Sequence, residues 1–97
     1  MRFEQHCQRC LKVFGQPFAH VHLWLDEFHG QAHCKTKHRR FRHHWAGIEL
    51  IRKQWGDMAA EAAVLHIVDD LKVLEDPSAN ESWIAKDEAD YLKKGYW

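Results

Sequence analysis

Apolar residues spaced three and four apart recur along this chain, and no other feature restricts its fold as strongly. Phe3, Cys7, Cys10, Leu11 and Phe14 form one such stripe, which Gly15 can end. Pro17 suits the first turn of a second helix, whose stripe is Phe18, Val21, Leu25 and Phe28 and which closes at Gly30. Residues 30–37 read as a polar loop. A third helix is predicted from about His38 to Trp55, with Phe41, Trp45, Ile48, Ile51 and Trp55 inward and Gly56 as terminator. Asp57 can cap a fourth, which carries Ala60, Val64, Ile67, Leu71 and Leu74 on one side. EDPSANES, from Glu75 to Ser82, is turn chemistry. KDEADYLKK reads as a last short helix ending at Gly95, its acids early and its lysines late, as the helix dipole favours. Only two Pro and five Gly argue against a turn-rich all-β fold. The expectation is all-α: a compact bundle of four main helices plus a short C-terminal one, in a single domain over residues 1–97.

The net charge of zero conceals a division. Residues 1–34 carry three basic and three acidic groups, residues 35–55 seven basic and one acidic, and residues 56–97 four basic and ten acidic. The middle is therefore +6 and the last third −6. Arg39, Arg40, Arg42, Arg52 and Lys53, with Lys35 and Lys37, make a strip that phosphates would favour. The same strip also suits a solvated face, or one turned to the acidic third of its own or a sister chain, which makes a homodimer an open reading. Polar residues interrupt MRFEQHCQRC where a signal peptide needs an apolar run, and no apolar run reaches the length of a membrane span. Three Cys do not make a secreted disulfide framework, so a reducing, cytoplasmic setting is expected.

Nine His are far more than a chain of this length usually carries. At about 100° per residue, His22, Asp26 and His29 share a patch bordering the second stripe. His44 falls inside the third stripe, between Phe41, Ile48 and Ile51, whereas His43 points away. His66 and Asp70 lie together at the edge of the fourth. If these helices pack together, His22, Asp26, His44, His66 and Asp70 converge. Imidazoles with carboxylates are the ligand set of a first-row divalent ion such as Zn, Mn, Fe or Ni, and inward ligands from several helices are how bundles build metal sites. Such an ion activates water for ester hydrolysis, and Arg39 and Arg40 could hold a phosphate beside it. The alternative is a hydrogen-bonded His–Asp network in a non-enzymatic binding module. A nucleic-acid contact through helix 38–55 is a third reading. Cys7 and Cys10, with Cys34 and His38, have zinc-ligand spacing, but a mid-helix pair on an apolar stripe is better read as small core hydrophobes.

HLWLD (His22–Asp26), KHRRFRHHWAGI (Lys37–Ile48) and HIVDDL (His66–Leu71) together resemble a family of small, uncharacterised bacterial and phage-associated proteins. Its members carry a His-x-Trp-x-Asp segment, an Arg-rich His-His-x-x-Gly-Ile helix and a His-Ile-x-x-Asp-Leu helix. The likeness covers about residues 18–83, and it implies the grouping of His22, Asp26, His44, His66 and Asp70 but no activity. The ligand order is also loosely similar to that of HD phosphohydrolases, with His43-His44 where that family has His-Asp.

Overall fold

Helices carry the described part of the chain, residues 1–28 and 38–96 of a computed structural model. Helix α1 spans Phe3–Phe14; Gln5 accepts a hydrogen bond from the Arg2 N–H at its start, and Gly15, in the left-handed region at φ 77°, ends it. Helix α2 spans Ala19–Leu25 and buries Val21, His22 and Leu25. It ends at Leu25, short of the expected Gly30, and Arg42 donates to the Trp24 carbonyl in its last turn at 2.7 Å. The same guanidinium lies 4.0 Å from the centre of the Trp24 ring and 2.6 Å from Glu27.

The third predicted helix divides in two. His38–Phe41 is a single 3₁₀ turn, residues 42–44 leave helical geometry, and α3 begins at Trp45 and runs to Trp55. The cause is tertiary. The first N–H groups of α3, those of Trp45 and Ala46, donate to the carbonyls of Ala85 and Lys86 at 2.9 and 3.0 Å. A helix continuing through Arg42 would have used those N–H groups itself.

Gly56, at φ 96° and ψ −179°, makes the corner into α4, Asp57–Leu74. Ala59, Ala60, Ala62 and Ala63 are all buried on α4, and these small side chains let neighbouring helices approach closely. Ile48 and Ile51 of α3, Val21 and Leu25 of α2, and Ile67 of α4 fill the core between them. A 3₁₀ turn at Glu81–Trp83 leads to α5, Glu88–Lys94, which Asp87 caps by accepting from the Asp90 N–H at 2.9 Å. The all-α bundle expected from the sequence is the fold observed.

The basic middle of the chain pairs with its own acidic residues: Arg39 with Asp70, Arg40 with Glu88, and Arg52 with Glu49 and Asp57. Three of these pairs join the basic middle to the acidic last third of the same chain.

Candidate metal centre

On α4, His66 and Asp70 are one turn apart and share a face, and Asp26, the C-cap of α2, stands one turn beyond His22. Helix packing brings the two faces together, and the irregular 42–44 segment adds His43. The ligand atoms of Asp26, His43, His66 and Asp70 lie within 4.8 Å of one another. His43 Nε2 is 3.2 Å from His66 Nε2, 3.3 Å from Asp26 Oδ1 and 3.3 Å from Asp70 Oδ2. His66 Nε2 is 3.5 Å from both Asp26 Oδ2 and Asp70 Oδ2. Ligand atoms around a tetrahedral ion with bonds of ~2.0–2.1 Å stand about 3.3–3.4 Å apart. The four groups already approach that spacing.

Proton placement follows from the partners. The Pro17 carbonyl can only accept, so His22 Nε2, 2.9 Å away, donates to it. Neutral His22 then offers a lone pair at Nδ1, and His66 Nδ1, 2.9 Å from it, is the donor of that pair. His66 Nε2 is left with a lone pair facing His43 Nε2 and two carboxylate oxygens. Burial favours the neutral forms: it pushes His66 down to about 3 and His22 to about 4, the latter with help from His6. For His43, burial is outweighed by the carboxylates of Asp26 and Asp70, which raise it. Burial likewise opposes ionisation of Asp70, but bonds from His43 and His6 prevail and hold its carboxyl well below the usual range.

Asp70 has further donors: Arg39 Nε at 3.2 Å on Oδ2, and the Met1 amine at 2.9 Å and His6 Nε2 at 3.1 Å on Oδ1. His6 also stacks on His66 with ring centres 3.6 Å apart. A second group, His6, His22 and His66, has metal-ligand proximity too.

A family model described as a domain of unknown function (DUF6915) matches residues 1–92. The chain belongs to that family. No curated protein and no solved structure matches it. The match takes in α1, outside the motifs HLWLD, KHRRFRHHWAGI and HIVDDL, and α1 carries two residues that touch the α4 carboxylates: His6 on Asp70, and Arg9 on Asp69 at 2.9 Å. The family match extends neither to a bacterial or phage association nor to HD phosphohydrolases.

Within this DUF6915 chain, Asp26, His66 and Asp70 come together, and His22 stands behind His66. His44 is a correction. With residues 42–44 outside the helix, His44 becomes the N-cap of α3: Nδ1 accepts from the Gly47 N–H at 3.1 Å and Nε2 lies 3.1 Å from the Arg40 carbonyl, to which it donates. Both ring nitrogens are engaged away from the cluster. His43, expected to point outward, takes the inward place and is 2% exposed. Arg39 and Arg40 are not brought together as an anion clamp, since one bonds Asp70 and the other lies toward Glu88 over the Phe41 ring. Cys10 is buried and Cys7 half-buried on α1, while Cys34 and the His38 side chain lie outside the described residues. The spacing of His6 carries its own signal: it stands three residues after Phe3 and four before Cys10, on the buried face of α1.

Proposed function

We propose that this chain is a divalent-metal-binding helical domain whose ion is held by Asp26, His43, His66 and Asp70. The lone pair on His66 Nε2 carries the reading. Its one donor is the shared His43 Nε2–H at 3.2 Å, and it also faces two carboxylate oxygens at 3.5 Å, an acceptor turned toward acceptors. The hydrogen on His43 Nε2 has His66, Asp26 and Asp70 within 3.3 Å and cannot serve all three well. A divalent cation satisfies the four groups together and balances the two carboxylates. Two imidazoles with two carboxylates suit Zn, Mn, Fe or Ni. Elemental analysis of untagged protein should find about one ion per chain, and added metal should raise the melting temperature of stripped protein. Absence of both effects would leave a metal-free His–Asp network as the correct account.

Hydrolysis of a phosphoester is the reaction this ion could support. Asp26 favours that second reading: its side chain is 25% exposed, against 3% or less for the other three, so an ion held there would have its fifth, water-accepting position on that edge. Turnover of p-nitrophenyl phosphate by metal-loaded protein, lost in His66→Ala, is the expected result. Stoichiometric metal without turnover would restrict the ion to a structural role.

A further inference from the structure

Behind the four proposed ligands, a chain of hydrogen bonds runs from His66 to groups outside the set. Pro17 O accepts from His22 Nε2 at 2.9 Å, and His22 Nδ1 faces His66 Nδ1, also at 2.9 Å. The chain starts at an unusual piece of backbone: Phe18, next to Pro17, has φ 52° and is the one non-glycine residue with positive φ among the described residues. A left-handed backbone is unfavourable for a bulky side chain and persists only where the surroundings enforce it. Here Phe18 is buried, 5.8 Å from the Phe14 ring, and its carbonyl accepts from Val21 and His22 to begin α2.

We infer that His22 is a positioning residue and not a ligand: it holds His66 as the Nδ1–H tautomer, so that the Nε2 lone pair is always presented to the ion. This rests on the metal-binding reading above. Imidazole exchanges between two neutral tautomers, and only one of them can coordinate through Nε2. His22 has no such freedom, because the Pro17 carbonyl requires a hydrogen on Nε2 and thereby leaves Nδ1 as an acceptor. A buried acceptor 2.9 Å from His66 Nδ1 then requires the hydrogen of His66 to reside there. A ligating histidine whose other nitrogen donates to a fixed acceptor is the usual second-layer arrangement of metal sites. In this chain a second histidine, anchored on a backbone carbonyl, supplies that acceptor.

Zinc titration of three stripped proteins against a chelating dye separates the possibilities. Glutamine reproduces the polarity of His22, with a carbonyl to accept from His66 and an amide to donate to Pro17, but is a poor zinc ligand. His22→Gln should bind zinc with affinity close to the native chain, whereas His22→Leu should weaken it roughly 10- to 100-fold. Equal, severe loss in both variants would make His22 a ligand and overturn the inference; native affinity in His22→Leu would overturn it too. If His22→Leu does not fold, nitrogen-15 spectra of the native metal-free chain decide: a hydrogen on His66 Nε2 instead of Nδ1 refutes the inference. Failure of the native chain to bind zinc would instead refute the metal-binding reading itself.

Discussion

His43 and His44 are adjacent, yet replacing them by alanine should give opposite metal responses. At a free zinc concentration 100 times its dissociation constant, binding stabilises the folded chain by about 2.7 kcal/mol. For a domain near this size each kcal/mol moves the melting temperature by about 4–8 °C, so the native protein should gain about 11–22 °C. His43→Ala removes a nitrogen lying 3.2–3.3 Å from three other ligand atoms, and the gain should vanish. The metal-free variant should melt lower as well, since Asp26 and Asp70 lose the imidazole between them, which bonds both. His44→Ala removes a cap instead, leaving the Gly47 N–H without its acceptor. Loss of a cap costs about 1 kcal/mol, so its baseline should fall by about 4–8 °C while the zinc-induced gain persists. Differential scanning fluorimetry with and without zinc measures both quantities. Asp26→Asn, a near-isosteric change at the partly exposed edge, replaces His43→Ala should the latter fail to fold. A zinc response lost in His44→Ala and kept in His43→Ala would refute the assignment.

Metal-stripped protein should lose stability on acidification from pH 6.5 towards 4. His22 and His66 titrate near 4 and 3 when folded but near ~6.5 in an unfolded chain, so the unfolded state takes up protons first. Their contribution is complete above that range and declines below it, while raised His43 works oppositely and loses its contribution as pH rises through its folded value. Thermal melts from pH 4 to 8 test this, and a melting temperature that climbs steadily towards pH 4 contradicts it. Cys10, pushed up to about 11 by burial, should resist alkylation at pH 8 until the chain is denatured, as peptide mass mapping would show. Gly47→Ala should be among the most harmful single substitutions, because a Cβ there collides with the Arg42 carbonyl. A loss of about 2 kcal/mol or more is expected in urea denaturation, and a loss below about 0.5 kcal/mol would count against the close approach.

What the sequence disclosed divides along physical lines. Helices α1, α4 and α5 end where local chemistry ends them, at Gly15, at the turn residues after Leu74 and at Gly95. The pairs His22–Asp26 and His66–Asp70 were legible because i,i+4 spacing fixes a shared face whatever the rest of the chain does. The interruption at residues 42–44 was not legible, since nothing local demands it. It depends on the carbonyls of Ala85 and Lys86, far along the chain, and on Arg42 reaching back to Trp24. Continuing the helical period through that stretch rotated each side chain about 100° per residue, enough to exchange the directions of His43 and His44.

That interruption also accounts for HHWAGI as one physical unit. His43 leaves the helix and turns its ring towards Asp26, His66 and Asp70. His44 then begins the new helix, its ring accepting from the Gly47 N–H and its carbonyl from the Ile48 N–H. Gly47 lacks the side chain that would strike the Arg42 carbonyl, so α3 can start directly beneath the turn. Ile48, fully buried, fastens that first turn to the core. Two of these residues are polar and buried, yet they act on different levels: one faces the carboxylates, and the other caps the helix that starts after the backbone break. The paired histidines are therefore not interchangeable donors to one ion but a ligand candidate and a helix cap.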